Sequence, residues 1–154
     1  MITAWRIVKA RHAATAFDGE GARLWGGRWN SPGSSLIYTA ESAALAALEM
    51  LVHLGKGAIL PAFVLISCSF REAIVSHLDR ARLSANWRSY PAPPKLQLIG
   101  NEWLINGKSA VLDVPNVMIP TESNYLLNPT HRDFGSIRVS DPKPFEFDLR
   151  LLRA

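Results

Sequence analysis

The sequence predicts one α+β domain, and three observations support this. The chain has 154 residues, the size of a single average domain. Hydrophobic residues make up 48% of it and charged residues 19%, which provides for a packed core and excludes a disordered chain. Short apolar segments typical of strands alternate with two helical patterns. A cluster at Pro91, Pro93 and Pro94 is a candidate domain boundary, but each half would be small and hard to stabilise alone, which favours one domain.

The first third of the chain predicts two strands separated by a glycine-rich loop. Thr3–Lys9 alternates as a strand and places Arg6 on the same face as Val8. Residues 15–34 contain five of the ten glycines, and a long glycine-rich loop in a small domain is typical of a binding loop. Ser35–Thr39 predicts the second strand.

The middle of the chain predicts a helix followed by a buried strand. Glu41–Leu54 is rich in Ala and Leu, and we expect this helix to end at Gly55 and Gly57. Leu60–Phe70 predicts the central strand.

The second half predicts one more helix and several short strands. Residues 71–88 are ambiguous, with extended structure favoured around Ala73–Leu78 before a turn. Lys95–Ile105 predicts a helix closed by Asn106-Gly107. The remaining predicted strands are Ser109–Val114, Val117–Ile119 and Phe145–Leu149.

Charge and cysteine content limit the class of protein. Lys and Arg number 17 against 13 acidic residues, and the net charge of +4 suits a nucleotide, a nucleic acid or an acidic protein as partner. The single cysteine, Cys68, excludes an internal disulfide and a multi-cysteine metal site. The longest uncharged apolar run, Gly57–Phe70, is too short for a membrane span, and Arg6 and Lys9 interrupt any signal-peptide core. We therefore expect a cytoplasmic protein without a metal site.

Glu49 is the residue that most departs from its surroundings. It is the only charged residue in Ala43–Val52, and it shares a helix face with Leu45, Leu48 and Val52. A carboxylate on such a face must be paired, hydrogen-bonded or protonated. The pattern leaves open a structural ion pair, with Arg6 as the candidate partner, and a catalytic carboxylate.

Arg28 follows the glycine pair Gly26-Gly27, where the main chain can pass close to a ligand. A guanidinium flanked by Trp25 and Trp29 can bind a phosphate while the indoles shield it from water. A surface arginine stacked on a tryptophan is an equally good interpretation of these residues alone.

Other polar residues give weaker patterns. Tyr38 ends a strand just before the helix of Glu49, where clefts are common, although a lone Tyr usually belongs to the core. The cluster Ser123–Tyr125 with Asn128-Pro129 indicates a turn by default. A basic stretch could bind nucleic acid, although a solvated face is more common. Its residues are Arg80, Arg82, Trp87, Arg88 and Tyr90.

Four segments, in this order, resemble the RES domain family, which is named after an arginine, a glutamate and a serine common to its members. They are Trp5-Arg6, Gly27–Asn30, Tyr38–Ala40 leading to Glu49, and Ser123–Pro129 with His131. The resemblance covers nearly the whole chain and implies one RES domain over residues 1–154. It also implies a fold similar to ADP-ribosyltransferase toxins, with small mixed or antiparallel sheets that form an NAD cleft and a few flanking helices.

The resemblance further implies the toxin of a bacterial type II toxin–antitoxin system that cleaves the nicotinamide–ribose bond of NAD+ by hydrolysis or phosphorolysis. NAD+ is then the substrate, with inorganic phosphate as a candidate co-substrate, and no other cofactor or metal is expected. The implied catalytic residues are Glu49 at the ribose, Tyr38 stacked on nicotinamide, Arg28 on the phosphates and Ser123 orienting the same ring region. The implied NAD-binding residues are Arg6, Gly27, Trp29 and Asn124.

The resemblance also implies a partner, a cognate Xre-like antitoxin that blocks the cleft, in a higher-order complex that contacts DNA only through the antitoxin. Three other functions stay open from the residues. One is an ADP-ribosyltransferase that modifies a protein, and another is a non-catalytic basic module that binds nucleic acid. The third is an inactive partner-binding domain in which Glu49 is locked in a salt bridge.

Overall fold

Within residues 1–54 and 59–152, which the computed structural model of the protein describes, the chain forms eight strands and three α-helices. The helices are α1 (Glu20–Trp25), α2 (Ala43–His53) and α3 (Pro94–Asn106). The strands are β1 (Ile2–Lys9), β2 (Ile37–Ala40), β3 (Phe63–Phe70), β4 (Val75–His77), β5 (Val111–Pro115), β6 (Ser123–Leu127), β7 (Arg138–Val139) and β8 (Lys143–Phe145).

The strands form one mixed sheet in the order β4-β5-β6-β2-β1-β3-β7, and β8 also pairs with β3. Strands β4 and β5 are parallel, and the other pairs are antiparallel. The α+β prediction, with mixed and antiparallel pairing and few helices, is confirmed.

The sheet is weakest between β1 and β2. Strands β1 and β3 pair along eight positions, and β2 and β6 pair along four. Strands β1 and β2 pair only through Trp5 and Ala40. The two small sheets that the resemblance implies are therefore two halves of one sheet, joined at one residue pair and diverging beyond it.

The two predicted long helices are confirmed, and local chemistry sets their ends. The Ser42 hydroxyl accepts the N–H of Leu45 and caps α2, which ends at His53 because Leu54 is extended. The glycines expected to end it, at 55 and 57, lie outside the described residues. Helix α3 begins with Pro94, and Gly107 closes it at φ +62°.

Several predicted segments differ from the structure. The glycine-rich loop contains the six-residue helix α1, which is too short to show a helical period. Val117–Ile119 is a turn and not a strand. The reason is that the Asn116 side-chain oxygen accepts hydrogen bonds from two main-chain N–H groups of this segment, which a strand would use for pairing. The turn expected at Ser123–Tyr125 is instead the start of β6, which pairs with both β2 and β5.

The C-terminal strand is displaced from Phe145–Leu149 to β8, which ends at Phe145. The cause is Phe147, which is buried and leaves the sheet to make edge contacts with Phe63 and Phe145.

Cys68 of β3 is buried in the core. Burial raises the pKa of its thiol to about 12. Such a thiol supplies almost no thiolate at neutral pH and is therefore unreactive there.

Helix α3 packs on the glycine-rich loop through a glycine contact. A Cβ on Gly100 would overlap the carbonyl oxygen of Trp29. On the same helix face, Gln97 donates to the carbonyl oxygens of Gly27 and Asn30 at 3.0 and 3.1 Å. The close approach of helix and loop therefore requires Gly100 and holds the loop at a fixed height above the sheet.

We expect Gly100→Ala to lower the free energy of unfolding by about 3 kcal/mol or more, since the new methyl group must displace main-chain atoms of the loop. The matched control is Gly21→Ala in α1, where a Cβ meets nothing within 4 Å and alanine adds up to about 1 kcal/mol of helix stability. Urea unfolding of both variants measures the difference. Equal stabilities would contradict the proposed packing constraint.

Candidate active site

A cleft of about 1070 Å³ opens where β1 and β2 diverge, at the upper end of the range for ligand pockets. It is lined by parts of β1, β2, β6, α2, the glycine-rich loop, residues 88–92 and the turn after β5. Seven of the eight site residues expected from sequence line it, namely Arg6, Gly27, Arg28, Trp29, Tyr38, Glu49 and Asn124. Their individual roles stay predictions.

Glu49 reaches the cleft because the exposure of its helix face increases along α2, from a buried N-terminal end to an exposed C-terminal end. Leu45 is 2% exposed, whereas Leu48 and Val52, expected on the interior face, are 37% and 63% exposed. Glu49 lies between these ends and is partly buried.

The Glu49 carboxylate is held by amides. Its Oε1 accepts hydrogen bonds from Nδ2 of Asn116 at 2.7 Å and from Nδ2 of Asn124 at 2.6 Å. Within the described ranges Glu49 takes part in no ion pair, so the structural salt bridge that the sequence left open is not formed. Burial raises the pKa of Glu49 above its ordinary value, against the lowering effect of the two amides and of Arg6.

Arg6 is a buried cation with an unused donor. Its Nη1 donates to the carbonyl oxygen of Tyr38 at 2.8 Å, across the gap between β1 and β2. Its Nε is buried and has no hydrogen-bond partner among the described residues. Burial lowers the pKa of this guanidinium, although arginine remains charged at neutral pH. Because Arg6 also lines the cleft, its charge is suited to an anionic ligand there.

Arg28 connects the glycine-rich loop to residues 87–92, which form the far wall of the cleft. Its Nη1 donates to the carbonyl oxygens of Trp87 and Ser89 at 3.0 and 3.3 Å. Trp25 is 83% exposed and outside the cleft lining, while Trp29 is 2% exposed and packs in the core against α3. The prediction that two indoles flank this guanidinium is therefore wrong, because one indole faces solvent and the other is needed under the helix.

Tyr38 anchors the loop that carries Arg28. Its hydroxyl donates to Oδ1 of Asn30 at 2.6 Å and accepts the N–H of Trp29 at 3.1 Å. Burial raises the pKa of this hydroxyl. A Cβ on Gly27 would lie 2.5 Å from the Tyr38 oxygen, so this position needs glycine for contact with the tyrosine.

Ser123 is the expected site residue that the structure does not bring to the cleft. It precedes Asn124 on β6, and successive strand residues face opposite sides of a sheet. Since Asn124 faces the cleft, Ser123 faces away from it.

Asn116 is a site residue that the sequence reasoning missed. It follows Pro115 between two segments that the hydrophobic pattern assigns to strands, and it is 1% exposed and contacts Glu49. The only signal for it is an asparagine after a proline, a common turn residue whose side chain binds main-chain N–H groups two residues on.

The arginines of the basic stretch are exposed and make local contacts. Arg80 and Arg88 donate to the carbonyl oxygens of Pro120 and Val117, and Arg82 pairs with Glu102. Of these three arginines only Arg82 is paired with an acidic group among the described residues, so the nucleic-acid interpretation stays a prediction. In the part of the chain that the structure describes, no three potential metal ligands come together, and the helices are too short or too polar to cross a membrane.

We expect Glu49→Gln to be more stable than the wild type at neutral pH. The raised pKa of Glu49 means that the folded state binds a proton more tightly than the unfolded state does. Wild-type stability therefore falls as pH rises from the ordinary glutamate pKa through the raised one, while the glutamine variant lacks this loss. Urea unfolding of both proteins between pH 4 and pH 8 should show a difference that grows with pH. A wild type that is the more stable at pH 7 would contradict this.

Comparisons with known proteins agree with this architecture. The model of the RES domain matches residues 3–148. A Yersinia enterocolitica protein named Toxin Res is 42% identical over 148 residues, spanning 96% of this chain and 97% of that protein. A Sphingobium protein named Prs ADP-ribosylating toxin is 33% identical, spanning 97% of this chain and 96% of that protein.

The crystal structure of the M. tuberculosis MbcT-MbcA toxin–antitoxin complex contains a chain of the same fold. The TM-score is 0.71 at 20% identity, over 93% of this chain and 83% of that one. With the domain match across nearly its whole length and relatives above 30% identity, the chain belongs to the RES domain family.

Proposed function

We propose that this chain is the toxin of a toxin–antitoxin system and that it consumes NAD+ by cleaving the bond between nicotinamide and ribose. Relatives that match its whole length are named toxins, which supports the first part. One observation carries the second: Glu49 stands in a cleft, held by two neutral amides and unpaired with any cation of the described residues. Its negative charge is therefore available to a ligand.

The chemistry needs one such carboxylate. When the C1′–N bond breaks, its electron pair moves to the pyridinium nitrogen, so nicotinamide leaves neutral and without protonation. Positive charge develops on the ribose, and a carboxylate fixed beside it stabilises that charge electrostatically. Water or phosphate then bonds to C1′ and loses a proton. No second carboxylate is needed as general acid, in contrast to ordinary glycosidases.

Arg6 and Arg28 suit the pyrophosphate of NAD+. Arg6 and Arg28 both line the cleft, Arg6 from β1 and Arg28 from the glycine-rich loop, so two guanidinium groups are available to one anion. Contacts to the pyrophosphate are equally strong in the ground state and in the transition state, so these residues act mainly on KM. The ring of Tyr38, whose hydroxyl is already engaged, is left to stack on nicotinamide.

ADP-ribosyl transfer to a protein is the second candidate. The Sphingobium relative is named an ADP-ribosylating toxin, which favours this activity. The same cleft and the same broken bond serve both reactions, and only the acceptor differs.

We also propose a cognate antitoxin of the Xre type that covers the cleft. The similar M. tuberculosis fold was solved in a toxin–antitoxin complex. Two apolar residues at the cleft, Tyr90 and Val52, are 91% and 63% exposed, and covering them would bury apolar area.

We expect Glu49→Gln to reduce the rate of NAD+ loss by about 10²-fold or more, since it removes the charge that stabilises the transition state. Arg28→Ala should mainly raise KM. Glu41→Gln is the matched control, because Glu41 precedes the same helix but does not line the cleft. Mass spectrometry of NAD+ after incubation with antitoxin-free protein measures each rate. Equal turnover in Glu49→Gln and Glu41→Gln would exclude Glu49 from the chemistry.

We expect nicotinamide release without any protein acceptor, with free ADP-ribose in phosphate-free buffer if water is the acceptor. If phosphate is the acceptor, turnover requires phosphate and yields phosphorylated ADP-ribose. Running both buffers with purified protein separates the two. Turnover that begins only when a protein is added, and that labels this protein with ADP-ribose, would favour the transferase and contradict NAD+ degradation.

A further inference from the structure

Asn116 has an amide whose orientation is fixed by the main chain. It lies in the turn between β5 and β6 and is 1% exposed. Its Oδ1 accepts the N–H groups of Met118 and Ile119, each at 2.8 Å. Because the oxygen is fixed by two main-chain donors, Nδ2 must face the other way, toward Glu49 and Asn124.

The orientation of the Asn124 side-chain amide is also fixed by its hydrogen bonds. Its Oδ1 accepts Nδ2 of Asn116 at 2.9 Å, so its own Nδ2 is the atom that donates to Glu49 and to the carbonyl oxygen of Thr39. Both amides of Asn116 and Asn124, the asparagine pair, thus donate to one oxygen of Glu49. The second oxygen, Oε2, has no hydrogen-bond partner among the described residues.

We propose that Asn116 is a positioning residue which, through the asparagine pair, fixes Glu49 by one oxygen, keeps it as a carboxylate and leaves the other oxygen for the ribose. This inference rests on the proposed function of the cleft. It also assigns Asn124, expected from the resemblance to contact NAD, to the support of Glu49, since both of its amide atoms are already bonded.

Two opposing effects on the pKa of Glu49 explain why hydrogen bonds from the asparagine pair are needed. Burial favours the protonated acid, which would carry no charge for the transition state, whereas amide donors favour the carboxylate. The other titratable groups facing this cleft are Arg6 of β1, Asp18 before α1, Arg28 of the loop, Tyr38 of β2, His53 of α2, and Arg88 and Tyr90 of the far wall. None of them forms an ion pair with Glu49 within residues 1–54 and 59–152, so the asparagine pair supplies its nearest polar contacts.

The test is Asn116→Asp, which keeps the oxygen that binds the turn and replaces the donor facing Glu49 by an acceptor. We expect the titration of Glu49, followed by ¹³C NMR of its side-chain carboxyl, to move to higher pH by about one unit or more. Asn116→Ser, whose hydroxyl can still accept a turn N–H, is the second variant if the aspartate destabilises the fold.

Asn128→Asp is the matched control. Asn128 is also buried, and its Oδ1 also accepts a main-chain N–H two residues on, from Thr130, but it does not contact Glu49. We expect the Glu49 titration to be unchanged in this variant. An unchanged Glu49 titration in folded Asn116→Asp and Asn116→Ser would overturn the proposal.

Activity provides the second readout. In Asn116→Asp the acidic limb of the pH–rate profile for NAD+ cleavage should move to higher pH, together with the titration of Glu49. Activity should be partly recovered at high pH. A uniform loss at every pH would show a merely structural residue and overturn the proposal. The NMR titration needs no turnover, so a wild type that fails to cleave NAD+ overturns the function alone, while the titration still decides whether Asn116 holds the charge of Glu49.

Discussion

The cleft depends on the interruption of the sheet between β1 and β2. Their pairing stops at Trp5 and Ala40, and beyond that point a side chain, the guanidinium of Arg6, bonds the carbonyl oxygen of Tyr38. A continued ladder of main-chain hydrogen bonds would close the gap. Arg6 satisfies the polar group that the divergence exposes, and the strands separate without leaving that carbonyl unpaired. The same interruption that opens the site therefore leaves a cation inside it.

The remaining walls are held at fixed distances by a few side-chain and close-packing contacts. The Tyr38 hydroxyl binds the main chain and side chain of the glycine-rich loop, and α3 presses on this loop through Gly100. The asparagine pair joins the turn after β5 to α2 through Glu49. Elements far apart in sequence thus meet through a few buried groups, and each group is positioned before a ligand arrives.

Hydrophobic periodicity was sufficient for β1, α2 and α3, because each is long enough to show its period and has a clear cap or terminator. It failed at α1, which is only six residues long, and at the hairpin of β5 and β6. There Asn124 of β6 faces the cleft, and a buried polar residue at that place in the sequence resembles a turn residue. Glu49 could be predicted because a lone charge on an apolar helix face needs an explanation. Asn116 could not, since its partner Glu49 lies 67 residues away and its pattern is that of an ordinary turn.

The burial of Cys68 has a consequence for the conditions under which this protein works. A thiol is oxidised through its thiolate, and a buried group with a pKa of about 12 supplies almost none at neutral pH. The chain holds no second cysteine with which it could form a bridge. The described fold therefore contains no thiol-based redox switch, and Cys68 should stay reduced under mild peroxide stress.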